Sequence, residues 1–435
     1  MSKKRSYSRI RWIGLIGAVL LLLFWFSLPE PLFDKPLSTV LYDRDGHMLS
    51  GRIAADEQWR FPSPDSLPMR LEECILQFED KRFYYHPGVD PFALIRAIGQ
   101  NIRAGKVVSG ASTISMQLIR LSRDQPDRTV IDKLWEMWLA LRLEMRYSKD
   151  EILRLYATHA PYGGNVVGVE AAAWRYFSRP LHQLSWAECA TLAVLPNAPS
   201  AIFPGREDGA LRRKRDGLLL RLMEKAIIDS TTYALAVLEE IPEQAAALPH
   251  QADHALAHLM QLGEEEQRLE SSLSLHLQQR AQAVLDRYMQ RLRPNRIQNA
   301  AALIVHIPTG EVRAYLGNTR LPGTPSAYVD IIQARRSSGS ILKPFLYACA
   351  VEEGLIHPKT LLRDVPVRID DFAPGNFDGN FKGLVRADEA LATSLNVPAV
   401  LLLREYGIGR FLQHLQQMDM RYADRSADDY GLSLI

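Results

Sequence analysis

The chain opens on its longest uninterrupted apolar stretch. From Trp12 to Pro29 the run WIGLIGAVLLLLFWFSLP carries no charge, and its length is near the lower end of what crosses a bilayer as a helix. Lys3, Lys4, Arg5, Arg9 and Arg11 precede it, while Glu30 and Asp34 follow, an asymmetry that puts the first residues in the cytoplasm and the rest outside. A cleaved signal peptide would have a shorter apolar core with a small-residue cleavage site close behind it. The pattern therefore predicts a cytoplasmic tail, 1–11, and a retained transmembrane helix, 12–29. Residues 30–62 are rich in proline and turn-formers, with YDRDGHML reading as a hairpin about Asp45-Gly46, and are expected to form a stalk.

Helical periodicity then takes over. Leu71, Cys74, Ile75 and Phe78 fall at i, i+3, i+4 and i+7, so one apolar stripe leads into Glu79 and Asp80. A second helix is predicted over 130–146, with Ile131, Leu134, Trp135, Trp138 and Leu139 on its buried face. Ser148–Glu151 and Ser185–Glu188 have the form of capping boxes, each opening an apolar-periodic segment, and the Pro196 and Pro199 pair ends the latter. Residues 63–240 thus read as a mainly-α domain. From 241 to 298 the sequence is polar, helix-prone and motif-poor, which predicts a linker region. At Asn299 the pattern changes to NAALIVHI, a turn at Pro308-Thr309-Gly310, and EVRAYLGN, two paired strands opening an α/β domain over 299–435.

Composition narrows the possibilities. A chain of 435 residues with 47% hydrophobic and 23% charged residues is a multidomain folded protein, and its net charge of +2 gives no footprint for nucleic acid. Cys74, Cys189 and Cys349 lie far apart in apolar segments and suit buried hydrophobes. There is no CxxC and no HExxH, so a transition-metal centre has no support, whereas a carboxylate-bound Mg²⁺ would leave no such signature.

Three segments carry candidate chemistry. In FEDKRFYYHPGVDP, Glu79 and Asp80 close a helix beside an aromatic loop containing Phe83 and His86; partial desolvation there would raise a carboxyl group toward the range of a general base. In GASTISMQL, Ser112 and Thr113 follow Gly110 and precede Gln117, and small hydroxyl residues after glycine let donors approach a phosphate or sugar. An N-cap by Ser112 would explain one residue of that run but not the rest. In DKLWEMWLALRLE, Lys133 and Glu136 stand at i and i+3 on one helix face, where a lysine can hold a pyrophosphate and a carboxylate a divalent cation. Each segment alone reads equally well as ordinary surface or capping.

Taken in order, these segments resemble the family 51 glycosyltransferases, the lysozyme-like peptidoglycan polymerases of class A penicillin-binding proteins. The match runs through Glu79-Asp80 with Phe83, His86 and Gly88, then GAST with Gln117, then Lys133 and Glu136, then SKDEILRLY and GVEAAAWRYFSRP. FEDKRFYYHPGVDP, Met116, HAPYGGN and AVLPNAPS narrow it to one subtype of the family. The resemblance implies that Glu79 is the general base that deprotonates the acceptor sugar's hydroxyl as it attacks the anomeric carbon of a lipid-linked strand. It implies further that Glu136, with a Mg²⁺, and Lys133 serve the departing pyrophosphate, that Ser112, Thr113 and Gln117 line the donor cleft, and that Asp80, Phe83 and His86 order the loop around the base and contact substrate. The implied partners are lipid II, the lipid-linked growing glycan strand, the bacterial inner membrane and other cell-wall synthesis proteins. Three departures stand out: Asp132 where the family has arginine, Thr158 where it has asparagine, and Asn197 where many members have lysine. They predict a weaker hold on pyrophosphate unless something compensates.

In RRSSGSILKPF, Ser340 and Lys343 form an S-x-x-K pair, and Ser394-Leu395-Asn396 fits the S-x-N element that accompanies it. The segment between them resembles the transpeptidase domain of class A penicillin-binding proteins, a β-lactamase-like α/β fold, and implies acylation of Ser340 by a D-Ala-D-Ala peptide or a β-lactam. No K-T-G triad occurs in these residues, and the sequence stops at Ile435 within that resemblance. The expectation is an incomplete domain that does not transpeptidate. Two other readings stay open: a lysozyme-like enzyme that cleaves glycan, and a non-catalytic scaffold of the cell-wall machinery.

Overall fold

The structure is a computed structural model describing residues 15, 18–19, 21–105, 110–123, 129–197, 199, 202–206, 208–263, 267–420 and 423–435. Residues 12–14, 16–17 and 20 of the predicted anchor, and the basic residues before it, lie outside the described residues. No helix among the described residues is long and apolar enough to cross a membrane. The chain divides into two compact units, Met1–Ile332 and Gln333–Ile435.

The first unit is built around helices. Strands β1 (Thr39–Tyr42) and β2 (Met48–Arg52) form the hairpin expected at Asp45-Gly46. Helix α1 (Met69–Glu79) buries Leu71, Cys74 and Ile75, as its stripe requires, and packs on α7. The helices between are α2 (Pro91–Ala104), α3 (Ile114–Arg123), α4 (Val130–Glu144), α5 (Lys149–His159) and α6 (Val169–Phe177). Helix α7 (Trp186–Val194) is the central one, with Ala187 and every residue from Cys189 to Val194 buried, and α8 (Asp208–Glu224) lies against it. The capping boxes at Ser148–Glu151 and Ser185–Glu188 are both formed. Cys74 and Cys189 are free and buried, as expected.

Two elements differ from expectation. The face of α4 is not buried along its length: Ile131, Leu134 and Trp135 are exposed, while Leu139, Ala140 and Leu143 are buried and Trp138 packs against the core. Periodicity marks a stripe as apolar without saying whether protein covers it. Nor is 241–298 a mere connector. It folds into a helix over Asp253–Gln261, a strand β3 (Arg268–Glu270) that pairs in parallel with β1, and a helix over Leu275–Leu292. Together with the strand pair Ala302–His306 and Glu311–Leu316 these buttress the hairpin through Leu41, Leu49, Leu256, Leu269 and Tyr315. By its contacts the predicted strand pair clusters with the first unit, whose compact body runs to Ile332.

The second unit packs helices Lys343–Glu352, Asn396–Tyr406 and Ile408–Gln417 around Leu346, Leu403 and Phe411. Strands Leu361–Asp364 and Gly383–Arg386 form an antiparallel pair beside them.

Candidate active site

Helix α1 delivers Glu79 to its last turn, and Asp80 breaks the helix with φ −153°. The loop that follows is framed from inside. Asp80 accepts from the Ile114 backbone N–H at 3.2 Å and faces His86 Nε2 at 3.0 Å, with both side chains buried. Phe83 is buried with the Lys149 ammonium 4.3 Å from its ring centre, and Lys149 also donates to the His86 carbonyl at 2.7 Å. Gly88, at φ +95°, lies so close to α4 that a Cβ would stand 2.6 Å from the Ala140 carbonyl oxygen, which leaves glycine the only fit. Thr113 caps α3 from Oγ1, accepting from Met116 N, and donates to the Gly88 carbonyl at 2.5 Å. Asp80, Phe83, His86 and Thr113 are therefore engaged in the loop's own framework, and Asp80 and Thr113 also line a neighbouring cleft. The cap is Thr113, one residue beyond Ser112.

Two clefts, of about 710 and 490 Å³, meet at Glu79 and share Gly110 and Ser112. The first is walled by Lys81, Arg82, Arg96 and Lys225, the second by Gln117, Arg120, Tyr156 and Asn197. Gln117 Nε2 donates to Glu79 Oε2 at 2.6 Å, and the Tyr156 hydroxyl stands 3.5 Å from Gln117 Oε1. Glu79 Oε1 is buried and has no hydrogen-bond partner among the described residues. Burial raises its carboxyl above the ordinary range and Asp80 adds to the rise, while the Gln117 bond, Lys214 and Arg120 act against it. A carboxylate short of donors is a base ready to accept a proton. Around Lys81, burial and the neighbouring Arg221, Lys225 and Arg96 depress its basicity, the signature of crowded positive charge.

Glu136 is buried in α4 and gripped at both oxygens by Arg120, with Nε at 2.7 Å and Nη2 at 2.9 Å. Arg120, which sequence reasoning missed, also reaches Ser112 Oγ at 3.4 Å. It lies three residues after Gln117 on α3, and that spacing alone would have put it on the same face. No contact is described for the Lys133 ammonium. With both Glu136 oxygens spent on a guanidinium, the residues as arranged do not fit a divalent cation there. The one cluster of potential metal ligands among the described residues is Asp43, Asp45 and His47, where Asp43 is already engaged by the backbone N–H groups of Asp45, His47 and Leu275 in the hairpin turn.

The three departures acquire physical roles. Asp132 completes a capping box with Thr129 at the start of α4. Thr158 is buried and donates to the Arg154 carbonyl at 2.8 Å, away from either cleft. Asn197 lines the second cleft, and its Oδ1 accepts from the Lys214 ammonium at 2.8 Å. A cation thus stands behind the amide, supplied by α8.

In the second unit, Ser340 is exposed on a short 3₁₀ turn and Lys343 is buried at the start of the following helix. The Lys343 ammonium donates to Asn396 Oδ1 at 2.6 Å, the Ser394 carbonyl at 2.7 Å and Ser394 Oγ at 3.3 Å. Burial lowers its basicity. Sequence analysis also missed Asn376, whose Oδ1 accepts from Asn396 N at 2.9 Å and which is held by buried Asp364 at 2.7 Å. Lys343, Ser394 and Asn396 are assembled as expected; the contacts described for Lys343 do not include Ser340.

A helical body bearing a buried glutamate between two clefts, and a unit joining Lys343 of S-x-x-K to S-x-N, define a two-domain protein. The Transglycosylase family model matches residues 45–224, and that of the penicillin-binding protein transpeptidase domain matches 300–430. The chain belongs to the class A penicillin-binding proteins. It is 36% identical to penicillin-binding protein 1C of Escherichia coli K12 across 94% of this chain and 54% of that protein. It is 32% identical to penicillin-binding protein 1B of Vibrio cholerae across 83% of this chain and 49% of that one. A crystal structure of penicillin-binding protein 1A from Haemophilus influenzae superposes with a TM-score of 0.42 at 18% identity, covering 92% of this chain and 65% of that one. The chain spans about half the length of the curated relatives it matches.

Proposed function

We propose that the chain is a peptidoglycan glycosyltransferase that polymerises lipid II at the outer surface of the inner membrane. The observation that carries this reading is Glu79, a buried carboxylate with one oxygen unpaired at the junction of two clefts. The acceptor's hydroxyl enters from the cationic first cleft and gives its proton to Glu79 as its oxygen attacks the anomeric carbon. The donor lies in the second cleft, where Arg120, backed by Lys214, faces the departing pyrophosphate, and the anomeric centre inverts. Gln117 holds Glu79 in place, and Glu136 holds Arg120. Lys133, with no contact of its ammonium among the described residues, is placed to meet phosphate.

Confinement to a bilayer supports the same reading. On α2, Phe92, Ile95, Ile98 and Ile102 form an exposed apolar stripe, and Ile131, Leu134 and Trp135 another on α4. Such stripes suit the boundary of a lipid layer. The end of the apolar N-terminal run is fastened to α4 as well: Arg142 donates to the Trp25 carbonyl at 3.0 Å and lies over its ring, and Phe24 meets Trp138 edge-on at 4.9 Å. An anchor over 12–29 would thus present the helix carrying Glu136 to the membrane surface.

Polymerisation of lipid II by wild type and by Glu79→Gln tests the reading. Equal background from both would leave the scaffold reading standing, and shortening of isolated sacculi would favour glycan cleavage. A fluorescent penicillin addresses the second centre: a stable adduct on Ser340 would overturn the expectation that this polypeptide does not transpeptidate.

A further inference from the structure

A third cavity, of about 330 Å³, shares no lining residue with the two clefts at Glu79. It lies where the β1–β2 hairpin, the proline-rich entry to α1, α6 and β3 converge, and its walls include Tyr42, Asp65, Glu170, Trp174, His182 and Arg268. Its volume falls at the small end of ligand sites.

One charge in it is unspent. Glu170, in the first turn of α6, makes no hydrogen bond or ion pair among the described residues. Burial pushes its carboxyl up to about 7, with Arg268 opposing the rise and Asp65 adding to it. Arg268 is therefore close enough to be felt, yet the two form no ion pair. Instead its guanidinium lies over the Tyr42 ring, 4.8 Å from the centroid, and leans to Glu270 at 3.5 Å, a solvent-exposed pairing of small worth. On the other side the Trp174 indole N–H is buried without a partner. Opposite charges facing one cavity without closing on each other leave a gap that a ligand carrying both charges can fill.

We infer that this cavity is a binding site for a small zwitterion of amino-acid or short-peptide type, its ammonium taken by Glu170 and its carboxylate by Arg268. Trp174 offers the ammonium aromatic surface, which favours cations, and Pro64, Pro68 and Leu181 add apolar lining. The site is independent of polymerisation at Glu79.

Titration calorimetry of the full chain with glycyl-leucine tests it, with N-acetyl-glycyl-leucine and glycyl-leucinamide as probes that lack one charge each. Glycyl-leucine binds, and each blocked form binds about tenfold more weakly, the loss of one charge-assisted contact. Glu170→Gln and Arg268→Gln each weaken glycyl-leucine by a similar factor while lipid II polymerisation is retained, which also shows that each variant folds. Absence of binding by wild type, equal binding of the blocked dipeptides, or unchanged affinity in both variants would overturn the proposal.

Discussion

Glu79 and Lys343 are both ionisable groups withdrawn from water, and the chain treats them in opposite ways. Lys343 spends its ammonium on three acceptors, whereas Glu79 receives one donor and keeps a buried oxygen unpaired. Glu136, the partner of the cleft-lining Arg120, repeats the contrast, since Arg120 satisfies both of its oxygens. A satisfied charge fixes geometry, while an unsatisfied one stores the tendency to take a proton. The difference separates groups that hold the site from the group that reacts.

That contrast is open to breaking. The largest effect belongs to Glu79→Gln, which lowers lipid II polymerisation by roughly a thousandfold, the scale of a lost general base. The same change stabilises the fold by about 1 kcal/mol near neutral pH, as removal of an underpaired buried charge does. The sign follows from linkage. Between the ordinary carboxyl value of 4.5 and the raised native one, the folded chain holds a proton that the unfolded chain has lost, so stability falls as pH rises through that window. Thermal melts of both proteins across pH check this; a destabilised variant would mean that Glu79 is structural.

Next in size is Arg120→Met, which strands Glu136 as a buried unpaired carboxylate and costs about 3 kcal/mol in chemical denaturation. The double variant with Glu136→Gln recovers most of that loss but not polymerisation. Lys343→Ala leaves Asn396 Oδ1 and the Ser394 carbonyl without their donor and costs about 2 kcal/mol, read as earlier unfolding of the second unit by hydrogen exchange. The smallest effect is Gln117→Leu. It removes the donor that holds the Glu79 carboxyl down, so the acid limb of the pH–rate profile, already above the ordinary glutamate range, moves to still higher pH. An unmoved limb would detach Gln117 from the base.

Legibility from sequence followed range of interaction. The α1 stripe, both capping boxes and the hairpin at Asp45-Gly46 depend on residues within a few positions of one another, and the structure shows them all. Residues 241–298 were misread because their buried side chains include polar ones: Gln278 is inside, bonding the backbone of Gln251 and Tyr315, so the segment resembles a solvated helix. Family motifs picked the right neighbourhood around Glu79 without telling which of its residues also hold the loop, as Asp80, His86 and Thr113 do. Arg120 and Lys214 escaped because their meaning lies in Glu136 and Asn197, partners supplied by other elements.

The pairing of β1 with β3 has a consequence for synthesis. Val40 meets Arg268 in that ladder, so roughly two hundred residues must be made before the strand acquires its second neighbour. During that interval the hairpin presents an open edge, the kind that recruits strands from other chains. Emergence of Arg268–Glu270 closes it, and the last strand of the sheet to be made is the one that seals the first.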